Sequence, residues 1–179
     1  MKLASIALLP TLVLTIAARF YPAVHSSLRR DPDALGHGEV WRLVSPVLVQ
    51  ADFLEHDGWW RAVAVLMMVA AILCVAEREL GAGRSLVLYC VGALVGHGVG
   101  ELWQPYGSGC SVAGCGVLGG VAVWLLSARP LQVRVGAALV IAGAVVAACF
   151  EDIHGPPLLA GAFLGRWLLR SVPLPRRLS

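Results

Sequence analysis

The sequence predicts an all-α membrane protein, a bundle of six transmembrane helices forming a single domain over residues 1–179. Three observations predict it. Hydrophobic residues make up 58% of the chain and charged residues 14%, with a mean hydropathy of +0.77, well to the apolar side of soluble domains. Six apolar stretches follow one another, at 3–20, 59–76, 85–102, 111–128, 131–150 and 154–169, each near the roughly 20 residues that cross a bilayer. Basic residues collect on alternate connections, the pattern that orients helices in a membrane.

The first stretch follows Lys2, as a secretory leader would, but no A-x-A cleavage site follows Ala17 and Ala18, so it is read as a retained helix. The connection 21–58 is the longest and is rich in Pro, Asp, His and Trp, which predicts a partly inserted surface loop. The second and sixth stretches are short, a feature tolerated where backbone lines a cavity or is covered by protein. With the N-terminus inside, the inner connections and ends carry nine Lys and Arg against Glu77 and Glu79, a net +7. The outer ones carry five Arg against nine carboxylates, a net −4. Both termini are therefore expected in the cytoplasm of a multi-pass plasma-membrane protein.

The overall charge of +3 is modest and points to no nucleic-acid partner. The five cysteines have no metal-ligand spacing; Cys110 and Cys149 are the two positioned to face an oxidising compartment, and a disulfide between them is the less favoured reading. His97 and Glu101 lie one turn apart at the outer end of the third stretch and are expected to form a polar pair. Two such ligands do not complete a metal site, and no metal or other cofactor is expected. Arg166 and Arg170 are expected to snorkel to the inner headgroups.

The fourth and sixth stretches open on Ser111 and His154 and are separated by one more crossing. Their helices therefore run parallel, and the two residues lie at one depth near the outer face. The run into the fourth stretch, Gly107 to Gly116, is rich in glycine, which lets membrane helices approach closely. A serine N-cap in a tightly packed helix is the plain reading of that run alone. His154 changes the weighting, because an ionisable residue in a membrane segment is costly and points to function. Gly161 and Gly165 keep one face of its helix small.

These residues resemble the rhomboid family of intramembrane serine proteases. Gly109, Ser111, Ala113 and Gly116 match the stretch around that family's nucleophile, and His154, Gly161 and Gly165 match the histidine helix, with Pro157 where a glycine is often found. Trp41 and Arg42, after Gly38 and Glu39, are similar to the family's Trp-Arg signature in the first loop, and Glu77, Arg78, Leu80 and Gly81 to its turn after the second helix.

The resemblance implies a Ser-His dyad in which His154 takes the proton of Ser111, and Ser111 attacks a peptide carbonyl of a membrane-anchored protein substrate. The oxyanion would sit at the N-terminus of the fourth helix, with the Ser111 N–H as one donor. Gly109, Gly116, Gly161 and Gly165 would pack the two catalytic helices. No third acidic residue is implied; Glu151 and Asp152 are near enough to orient His154 or raise its basicity, but a solvated outer loop is the place expected for both.

The sequence also departs from the family. The helper asparagine has no counterpart, since Val65 or Trp59 falls at its position. Gln50, Glu55 and His56 are the polar residues near the helper histidine, and His56 is the weak second oxyanion candidate. Cys115 stands where an aromatic residue commonly packs on the histidine. A proteolytically silent rhomboid-like protein that binds membrane helices is the principal alternative. A small transporter is a weaker one, because no repeat or continuous polar path is evident.

Overall fold

The computed structural model describes residues 2–50, 58–170 and 172. Among them are eight α-helices: α1 (Lys2–Phe20), α2 (Pro22–Leu28), α3 (Pro32–Gly36), α4 (Trp59–Leu80), α5 (Ala82–Trp103), α6 (Ser111–Leu125), α7 (Leu131–Cys149) and α8 (Gly155–Leu168). Two single-turn 3-10 helices, Val40–Leu43 and Ser45–Leu48, follow α3. The loop after α1 is thus largely helical in short pieces.

By length and apolar composition, α1, α4, α5 and α7 are each sufficient to cross a membrane. This is a helical membrane protein. The helix α6, with 15 residues, and α8, with 14, are shorter. At 1.5 Å per residue each reaches only about 20 Å, short of a hydrocarbon core of about 30 Å. Local sequence sets these limits. Pro156 and Pro157 favour a helix start after His154, because a first-turn proline lacks only an N–H that has no acceptor there. Pro130 disfavours helical geometry at Arg129 and helps to end α6.

The helix α4 is longer than the stretch 59–76 that predicted it. It runs on through Glu77 and Arg78 and stops at Gly81, whose φ of 89° only glycine adopts readily. Glu77, expected in a turn, instead accepts the backbone N–H groups of Lys2 and Leu3, each at 3.0 Å, and so caps the N-terminus of α1.

The centre of the bundle is α6, which packs against α8, α5, α7 and α4. Small residues permit this. A Cβ on Gly92 would lie 2.8 Å from the Ala113 carbonyl oxygen, and one on Gly161 would collide with the carbonyl of Gly116. Gly165 faces Gly120, and Gly155 faces the α7 backbone at Ala144 and Ala148. In lipid, helices gain little from hydrophobic association, so close backbone packing of this kind is the main attraction. The outer surface is apolar, with Ile6, Leu9, Met67, Leu139 and Phe163 exposed.

Candidate functional site

The approach to α6 is tied down on every side. Arg30 donates its backbone N–H to the Gly107 carbonyl at 2.9 Å, and Gly109 donates to the Pro46 carbonyl at 2.9 Å. The N–H of Cys110 donates to Gln50 Oε1 at 3.1 Å. Gln50 is buried, and its own N–H donates to Thr15 Oγ1 of α1 at 3.0 Å. One turn earlier, Thr11 Oγ1 donates to the Val47 carbonyl at 3.1 Å. Buried threonines on α1 therefore hold the first loop, and the first loop holds the N-terminus of α6. Gly109, expected among the packing glycines, lies instead in this approach, where a Cβ would be 2.5 Å from Gln50 Oε1.

Two arginines brace the loop from within. Arg42 Nε contacts Glu39 Oε2 at 2.7 Å, and its Nη1 donates to the carbonyls of Ser26 and Arg29 at 2.8 and 2.9 Å, neutralising the C-terminal end of α2. Arg30 is buried; its Nε donates to the Gln104 carbonyl at 3.2 Å and its Nη1 to His97 Nδ1 at 3.1 Å. Arginine only donates, so His97 Nδ1 is the acceptor in this bond. The expected pairing of His97 with Glu101 is replaced by this contact across the loop.

Ser111 is the first residue of α6, where helix geometry leaves the N–H without an intrahelical acceptor. Its Oγ lies 2.9 Å from His154 Nε2, the residue just before α8. Ser111 and His154 are thus brought together from two helices, with Gly116 against Gly161 farther along the same contact.

On the far side of the ring, His154 Nδ1 is 2.7 Å from Asp152 Oδ1, and the same oxygen accepts the His154 backbone N–H at 2.9 Å. Asp152 therefore takes the orienting position that was the less favoured of the two expectations. It does keep water contact: the side chains of His154 and Asp152 are 44% and 50% exposed. The cause is the end of α7. Glu151 takes a left-handed conformation with φ 57°, its N–H bonds to the Ala148 carbonyl, and the N–H of Asp152 bonds back to the Ala147 carbonyl. These two bonds form a Schellman cap with Glu151 in the place usually held by glycine. Asp152 then closes an Asx-turn on His154. The Asp152 carboxyl is held below its ordinary value of 3.8 by the backbone N–H of His154, opposed by partial burial and helped by the His154 ring.

His56, the weak oxyanion candidate, and Glu55 lie outside the described residues. Cys110 is buried, Cys149 is exposed, and both are free thiols rather than a pair. The residues that sequence reasoning passed over are Thr11 and Thr15. The threonine pair had a signal, two hydroxyls at i and i+4 in an otherwise apolar segment.

No family model matches the chain. Over 91 residues the chain is 32% identical to Rhomboid-like protease 3 of Toxoplasma gondii, a match that covers 50% of this chain and 32% of that protein. The matched part spans about a third of that relative's length.

Proposed function

We propose that the chain is a rhomboid-like intramembrane serine endopeptidase that cuts membrane-anchored protein substrates. The observation that carries this reading is the 2.9 Å contact between Ser111 Oγ and His154 Nε2 at the N-terminal ends of two parallel helices. In the proposed reaction, His154 Nε2 removes the Ser111 hydroxyl proton while Oγ bonds to the peptide carbonyl carbon. The proton then passes to the leaving amine nitrogen as the C–N bond breaks, and water hydrolyses the acyl ester by the same route. The developing oxyanion faces the start of α6, where the Ser111 N–H and the helix dipole favour negative charge.

In this reading α1, α4, α5, α6, α7 and α8 all cross a plasma membrane as a single domain, with both termini in the cytoplasm and the site near the outer face. The similarity to a rhomboid-like protease, together with the sequence pattern around Ser111 and His154, supports the class of reaction.

A second reading, a silent protein that binds partner helices, is favoured by one observation. The Cys110 N–H, next to the nucleophile, is already engaged by Gln50 Oε1, and the helper asparagine is absent. A fluorophosphonate probe separates the two. Detergent-solubilised wild type is expected to be labelled, and Ser111→Ala and His154→Ala to lose labelling; labelling indifferent to both substitutions would favour the silent binder.

A further inference from the structure

We infer that Asp152 is a positioning and polarising residue for His154, which makes the site a Ser111–His154–Asp152 array rather than a dyad. The inference rests on the hydrolase reading above for its consequence, but its geometry stands alone. Asp152 Oδ1 accepts two N–H groups of one residue, the His154 main chain at 2.9 Å and the ring Nδ1 at 2.7 Å. Two bonds from one residue to one oxygen fix the side-chain torsions of His154 as well as its backbone.

The chemistry of the contact fixes the tautomer. An ionised carboxylate only accepts, so Nδ1 carries the hydrogen. In the neutral ring Nε2 is then the lone-pair nitrogen, and at 2.9 Å it accepts the Ser111 hydroxyl hydrogen. This is the form a general base must have before the reaction starts. When Nε2 takes the proton, the ring becomes a cation between Ser111 and a fixed negative charge. No proton needs to move to Asp152.

The position of the carboxylate follows from the turn. The α7 cap directs the chain back at Glu151, and the Asx-turn places Oδ1 under the histidine; both are local and need no distant partner. The other titratable groups near the pair are Glu151, next in the chain, and Cys115 on α6, within electrostatic range of Asp152. Half exposure means that solvent screens the attraction, so the effect is expected to be moderate.

Asp152→Asn is the discriminating variant. Its Oδ1 keeps the Asx-turn and still accepts from the ring, so only the charge is lost. Fluorophosphonate labelling rates are expected to fall on the order of tenfold. Asp152→Ala is expected to lose more, and Asp152→Glu to recover part. An unchanged rate in Asp152→Asn would overturn the inference. The 15N shifts of the His154 ring in 15N-histidine-labelled protein, identified by their loss in His154→Gln, give a readout independent of turnover. A neutral ring with its hydrogen on Nδ1 in wild type, and loss of that preference in Asp152→Ala, supports the array; a hydrogen on Nε2 in wild type, or a tautomer indifferent to Asp152→Ala, overturns it. Should wild type not label at all, the hydrolase reading fails while the tautomer still decides the role of Asp152.

Discussion

The carboxamide oxygen of Gln50 accepts the backbone N–H of Cys110, 60 positions later in the chain and immediately before Ser111. Because a main-chain N–H can only donate, the oxygen of the carboxamide must be the atom that faces it. Gln50→Ala leaves this buried donor without an acceptor and is expected to destabilise the protein by about 1–3 kcal/mol. Gln50→Glu, which keeps an acceptor beside a helix N-terminus, is expected to lose less. Thermal unfolding of the purified protein in detergent checks both.

Gly161 sits where any side chain would strike the Gly116 carbonyl, whereas Gly143 on α7 faces open space. Gly161→Ala is expected to push α8 from α6, lowering stability by roughly 1–3 kcal/mol and separating His154 from Ser111. Gly143→Ala is expected to leave both unchanged. Unfolding midpoints and probe labelling of the two variants form the comparison.

His25 on α2 lies 3.2 Å through Nε2 from Ser108 Oγ, in the approach to α6. Burial first, and then the charge of Arg29, holds its imidazole below the ordinary value of 6.5. Above that pH the ring is neutral in both the folded and the unfolded chain, and the favourable state is fully present. As pH falls below 6.5 the unfolded chain binds the proton first, so stability declines until the pH passes the lower folded value. His25→Gln is expected to flatten this segment of a stability profile taken from pH 7.5 down to about 5.

The long helices were legible because apolar runs and polar breaks determine them almost alone. The stretches at 131–150 and 85–102 correspond to Leu131–Cys149 and Ala82–Trp103. The extension of α4 through Glu77 and Arg78 was not, since charges at the end of a membrane helix resemble a turn until a partner such as the α1 N-terminus takes them up. Ser111 and His154 stood out as polar residues at matched positions in apolar stretches. Asp152 did not. Its orientation depends on a left-handed residue at Glu151, and nothing in a glutamate announces that conformation as a glycine would. Gln50 was legible as a polar residue near the helper-histidine position but its partner was not, because the acceptor and the N–H it serves meet only when the first loop folds back over α6.

Asp152, Ile153 and His154 form a spacer whose length matters more than its composition. His154 is held beside Ser111 by the packing of α8 on α6, whereas the carboxylate is held by the two-residue step of the Asx-turn alone. One extra residue between the carboxylate and the imidazole would carry the carboxylate off the ring while leaving every transmembrane segment intact. Natural or engineered variation in this joint should therefore take the form of exchanges of side chain, with insertions and deletions shunned.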